Sequence, residues 1–137
     1  MIELTGLFTM MLGVWYPRHY VVAAIDPSDA AAAADALRSA GFGERSVRHD
    51  SGARVLEIRQ QIHTQRTPLE RAAASLSRSL TDEGLMSQEY FEEAETGASL
   101  IAVLAPELQH QTDVCQILRA HRARRIRFYG DNTIIDL

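Results

Sequence analysis

At 137 residues, 46% of them hydrophobic, the chain is the size of one ordinary domain and can bury a core without disulfides or a structural metal. A net charge of −4 argues against a protein that coats nucleic acid or an anionic membrane through its overall field, so any basic function must be local. All fourteen basic residues are arginine, which GC-rich coding explains as well as guanidinium chemistry does. The lone Cys115 excludes an intrachain disulfide and makes a reducing cytoplasm the simplest home.

Residues 4–16, LTGLFTMMLGVWY, are apolar but too short to span a bilayer, and they lack a preceding positive region and a following cleavage pattern. No membrane span is expected. Residues 1–19 read as an apolar N-terminal segment, part of the fold or an oligomer contact, with Trp15 and Tyr16 as interface candidates; Met10 or Met11 is an alternative start.

The run YVVAAID, 20–26, predicts a strand buried on both faces. Asp26, Pro27, Ser28 and Asp29 open a helix that closes on Gly41, with Phe42 folding back over its end. Residues 44–49 and 53–62 read as two strands around the turn DSG, because Leu56, Ile58 and Ile62 alternate with Glu57, Arg59 and Gln61. Thr67, Pro68 and Glu70 form a capping box for a helix ended by Gly84, and Ser87 caps a short helix, QEYFEEAET, ended by Gly97. SLIAVLA, 99–105, predicts a second buried strand. After Pro106 a helix runs to about His121, with Leu108, Val114, Cys115, Ile117 and Leu118 on one side. RIRFY and TIIDL, joined by the turn GDN, are the last strands.

Residues 20–62 and 99–137 therefore repeat one order of elements, with Pro27 answering Pro106 and Leu37-Arg38 answering Leu118-Arg119. Two such halves predict a single α+β domain over 1–137: a ferredoxin-like sandwich with a mostly antiparallel sheet, helices on one face and an inserted helical pair at 64–97. The strands at 20–26 and 99–105 would be central neighbours, flanked by 44–49 and 125–129, with 53–62 and 133–137 outermost. The other sheet face would need cover from a dimer contact, the inserted helices or the N-terminal segment.

The phrases AAAADALRSAGF and SQEYFEEAETGASLIAVLAP resemble small bacterial stress-associated proteins of the YflT or general stress protein 17M type, over roughly residues 20–122. Members often carry a Gly- and Ala-rich apolar segment between the halves, where this chain has the charged stretch 64–83. The resemblance implies a stress-associated role and supplies no catalytic residues.

The sharpest local feature is the run of Arg119, Arg122, Arg124, Arg125 and Arg127, a candidate site for a small anion; nucleic acid is disfavoured. The competing reading places Arg119 and Arg122 in the last turn of a helix, where the dipole favours positive charge, and puts Arg125 and Arg127 on the wet side of a strand, paired with the acidic stretch Asp82, Glu83, Glu89, Glu92, Glu93 and Glu95. His110 and Asp113 sit three apart without a third metal ligand, so no metal is expected. Cys115 reads as a core residue, as does Phe91, with Tyr90 open between core and interface. Histidines 19, 49 and 63 lie near strand ends. No catalytic motif and no cofactor signature is present. These readings predict a cytoplasmic, homodimeric, bacterial stress-associated module that interacts or regulates without catalysis. An anion-sensing domain using residues 119–127, and an enzyme built on a dimeric α+β barrel, are the alternatives.

Overall fold

A computed structural model describes residues 18–65, 82–131 and 133–137. Trp15, Tyr16 and the capping box at Thr67 lie outside them.

The order is β1 (Tyr20–Ile25), α1 (Pro27–Ser39), β2 (Val47–Asp50), α2 (Gly52–Gln65), α3 (Asp82–Glu95), β3 (Ser99–Leu104), α4 (Leu108–Ala120), β4 (Arg124–Tyr129) and β5 (Ile134–Asp136). The five strands form one sheet in the order β2-β3-β1-β4-β5, every pair antiparallel. The two apolar strands are central neighbours, as their continuous hydrophobicity requires. Each strand-helix-strand unit leaves a gap filled by the other's first strand, so β3 lies between β1 and β2, and β1 lies between β3 and β4.

Both sheet faces are covered by helices: α1 and α4 on one, and on the other α2 and α3, where the sequence left a dimer contact, the inserted helices or the N-terminal segment as candidate covers. Val21, Ala23 and Ile25 of β1, with Ile101 and Val103 of β3, pack against Ala33, Ala34 and Leu37 of α1 and Val114 and Leu118 of α4. The alternate residues Val22, Ala24, Leu100 and Ala102 pack against Val55 of α2 and Tyr90, Phe91 and Ala94 of α3. A fully buried Ile or Leu contributes about 1.5–3 kcal/mol, so both layers are needed to hold these strands. That second face is covered by α3, from the expected insertion, together with α2, from the segment expected to be a strand.

Residues 53–62, expected as a strand, lie in α2. The alternation of Leu56, Ile58 and Ile62 is real, but Val55, Ile58 and Ile62 also recur at helical spacing. The capping chemistry decides between the two: Ser51 Oγ accepts a hydrogen bond from the Arg54 amide at 3.1 Å, and Ser51 O accepts one from Val55 N at 3.0 Å. DSG is therefore a helix start and not a hairpin turn. Gly52 is pressed against the end of α3, where a Cβ would stand 2.6 Å from Ala94 O and closer still to Ala98 O. Only glycine fits there. Gly84 and Ser87, expected to stop one helix and start another, both lie inside α3. Leu108, expected on the apolar side of α4, is 78% exposed, and Gln111 is buried in that layer.

The two halves agree most closely at their helix ends. After α1, Gly41 (φ 103°) donates to Arg38 O and Phe42 donates to Leu37 O. After α4, Arg122 (φ 63°) donates to Arg119 O and Ala123 donates to Leu118 O. Both are left-handed caps of the Schellman type, one on the preferred glycine and the other on an arginine that bears the steric cost of its Cβ. Replacing Arg122 removes the same side chain whether by Gly or by Ala, but only Gly relieves the backbone. Arg122→Gly should therefore be more stable than Arg122→Ala by about 1 kcal/mol in urea denaturation.

Candidate functional site

β4 does not run straight. Val22 of β1 faces Arg127 and Ala24 faces Arg124, so two residues of β4 oppose the single Ala23. The extra residue makes a bulge at which Arg125 adopts φ 53°. Tyr90 of α3 reaches this point with its ring fully buried. Its hydroxyl lies 2.7 Å from Arg125 O and 3.1 Å from Val22 O, sharing one proton between two carbonyls of the distorted ladder. Tyr90 is thus a core residue whose polar tip satisfies the sheet, and burial pushes its phenol well above its ordinary pKa.

The bulge also sets the arginines. Arg124 bonds Glu93 at 3.1 Å and Asp26 at 3.1 Å. Arg125 bonds Glu93 at 2.9 Å and also pairs with Glu89. Arg127 bonds Glu89 and Asp136, the latter at 2.9 Å. The chain Asp26, Arg124, Glu93, Arg125, Glu89, Arg127, Asp136 is continuous, each guanidinium bridging two carboxylates as its planar fork allows. Arg122 makes a separate two-point contact with Asp29, with bonds of 2.7 and 3.2 Å. Asp26 and Asp29 stand at the positive end of α1, where carboxylates are favoured. Arg119, on α4, donates to the Leu137 carbonyl oxygen.

Arg127 does not lie on a wet side as expected, because that face of β4 is covered by α3. Its side chain is only 9% exposed, and its guanidinium carbon is 5.5 Å from the centre of the Tyr90 ring. Its Nη1 is buried without a hydrogen-bond acceptor. Burial works against the Arg127 charge, but the bonds to Glu89 and Asp136 outweigh it and raise the pKa. In return the Arg127 bond, set against burial, holds Glu89 below its usual 4.5. The Arg122 bond likewise holds Asp29 below the usual carboxylate range. Of the acidic stretch, Glu89 and Glu93 meet the arginine run.

The structure brings together a second set of residues at the opposite end of the α1–α4 layer. There the turn after α1, the end of β3 and the start of α4 enclose a groove of about 380 Å³. Phe42, Leu104 and Pro106 supply its apolar lining, and Glu107, His110 and Asp113 its charged and polar part, with Ser46 alongside. The Phe42 and His110 rings meet edge to face with centroids 5.7 Å apart. Glu107 sits at the N-cap of α4 without capping it. His110 Nδ1 is 4.0 Å from a Glu107 oxygen, and Asp113 accepts from Gln109 at 3.0 Å. The pairing of His110 with Asp113 was the one sequence signal pointing here; the contribution of Phe42 and Leu104 depends on β3 lying beside the end of α1. A shallower groove of about 290 Å³ runs along α4 past Leu108, Cys115 and Arg119. Cys115 is half-buried and packs against the α1–α4 core.

No three His, Cys, Asp or Glu side chains among the described residues are grouped to hold a metal ion. His19 bonds Asp131 at 2.9 Å, His49 lies on β2, and the His63 side chain falls outside the description. No helix among the described residues is long and apolar enough to cross a membrane. Compared with family models, curated proteins and solved structures, the chain matches none.

Tyr90→Phe keeps the ring and removes the proton shared by Val22 O and Arg125 O. It should cost about 1–3 kcal/mol in urea denaturation, the penalty for unsatisfied buried carbonyls. Because Glu89 has a lower pKa folded than unfolded, the stability it contributes is complete above the ordinary glutamate range and is lost as pH falls from about 4.5. Glu89→Gln should therefore be less stable than the parent at neutral pH and show a shallower acid limb when melts are compared across pH.

Proposed function

We propose that the chain is a non-catalytic regulatory module of ferredoxin-like topology that recognises a ligand in the groove between the end of α1 and the start of α4. The strand order and the two interleaved strand-helix-strand units support the topology. In this reading the protein is a cytoplasmic homodimer of the bacterial stress-associated kind that its sequence resembles.

The observation that carries the assignment is the division of labour between the two ends of the α1–α4 layer. At one end Arg122, Arg124, Arg125 and Arg127 are bound to Asp26, Asp29, Glu89, Glu93 and Asp136, so their charge goes to joining helices to the sheet. Five carboxylates around four guanidinium groups make a poor trap for an anion. At the other end the groove combines an apolar lining with a few converging polar groups, the usual make-up of a small-molecule site.

A thermal-shift screen of the full chain against amines, carboxylates, phosphates and nucleotides tests this. A ligand at 100 times its Kd should stabilise the protein by about 2.7 kcal/mol. That shift should shrink in His110→Ala, which alters the polar part of the groove. A hit that survives His110→Ala and disappears in Arg122→Ala or Arg124→Ala would transfer the function to the anion-sensing reading. A screen without hits would overturn both.

A further inference from the structure

We propose that this groove selects an organic cation: a primary ammonium or guanidinium group carried on a small apolar body. The inference rests on the groove being the recognition site and adds the chemistry of what enters it.

Charge is the first argument. The lining includes two carboxylates, Glu107 and Asp113, one histidine, His110, whose Nδ1 stands 4.0 Å from Glu107, and no arginine. Glu107 is the more open of the two, with a side chain 75% exposed, and its carboxylate is not spent on capping α4. Asp113 is half-buried and accepts a hydrogen bond from the neutral amide of Gln109. Elsewhere in the fold, carboxylates of this kind are held by arginine: Asp29 by Arg122, Glu93 by Arg124 and Arg125. An anion entering the groove would face both carboxylates, whereas an ammonium or guanidinium group would supply the charge-assisted donors they can accept.

The backbone argues the same way. α1 ends at the groove with Ala40 and Gly41, presenting the negative end of its dipole. The positive end of α4 opens beside it, but Glu107 stands at that position and offsets it. Shape gives the rest of the specificity. Leu104, 37% exposed, joins Pro106 and Phe42 as an apolar surface beneath the charged groups. The volume is near the lower end of the range of about 300–1,000 Å³ usual for ligand pockets, which suits a small amine and not a dinucleotide.

The test is an amide NMR titration of the full chain with three probes of similar shape: benzylammonium, benzyl alcohol and benzoate. Benzylammonium should shift the amides of Gly41, Gly43 and His110 saturably, with benzyl alcohol weaker and benzoate weakest. The double change Glu107→Gln with Asp113→Asn should weaken benzylammonium by roughly fivefold or more, as expected for losing two partly exposed charge pairs, and leave benzyl alcohol unchanged. Each single change should give part of that loss, which guards against a folding defect in the double variant. If benzoate or benzyl alcohol saturates the same amides as tightly as benzylammonium, the cation proposal is overturned while the groove remains the site. If none of the probes shifts those amides, the proposal and the assignment of the groove fall together.

Discussion

One hydroxyl group holds the two sides of this molecule in register. Arg125 enters β4 as an extra residue in a left-handed conformation, breaking the ladder to β1 at the centre of the sheet. A break there would leave carbonyls buried under α3, at a cost comparable to a lost hydrogen bond for each. The Tyr90 hydroxyl serves the two carbonyls nearest the break, Arg125 O and Val22 O, from the middle of α3. The helix is thereby placed along β4 with Glu89 and Glu93 above the arginines, and the network between them follows from that placement. Because Arg125 is also the member of the network that joins Glu93 to Glu89, backbone distortion and ion pairing meet at a single residue.

The repeat shows how one design serves two ends differently. Both helix-to-strand turns use the same pair of cap hydrogen bonds, but the first turns on Gly41 and the second on Arg122. Glycine leaves open space after α1, with no atom within 4 Å of a notional Cβ, and the groove forms beside it. Arginine at the matching place accepts a strained backbone and reaches across to Asp29 in the first turn of α1. The two solutions divide the layer into an open end and a closed one.

Much of this was legible in the residues, and the misreadings have identifiable physical causes. β1, β3 and the two helices that follow them are continuous or clearly periodic, and their Pro and Gly punctuation is local, so single segments sufficed. Residues 53–62 were misleading because an apolar pattern of 55, 58 and 62 with 56 satisfies both periods, leaving the choice to one serine hydroxyl. The wet side assigned to Arg127 failed for a different reason: alternation identifies two faces of a strand, but which helix covers a face is decided by distant packing. The ion-pair network was foreshadowed by the composition of the two segments, whereas its connectivity depends on the bulge, for which an arginine leaves no sequence signature. The groove was the least visible feature, since its walls come from segments that only the strand order brings together.

The position of β1 has a consequence for how the chain is made. β1 is buried on both faces and is the first strand described, yet its neighbours β3 and β4 lie roughly 80 and 100 residues further along the chain. During synthesis the segment VVAAI emerges well before either partner exists. An unpaired apolar strand in that interval is exposed to association with other nascent chains. α1, which follows it directly and is rich in alanine, is the first described element after it able to fold from local bonds and cover one side of it. The alanine run therefore also protects an interval in the life of the chain that the finished fold no longer displays.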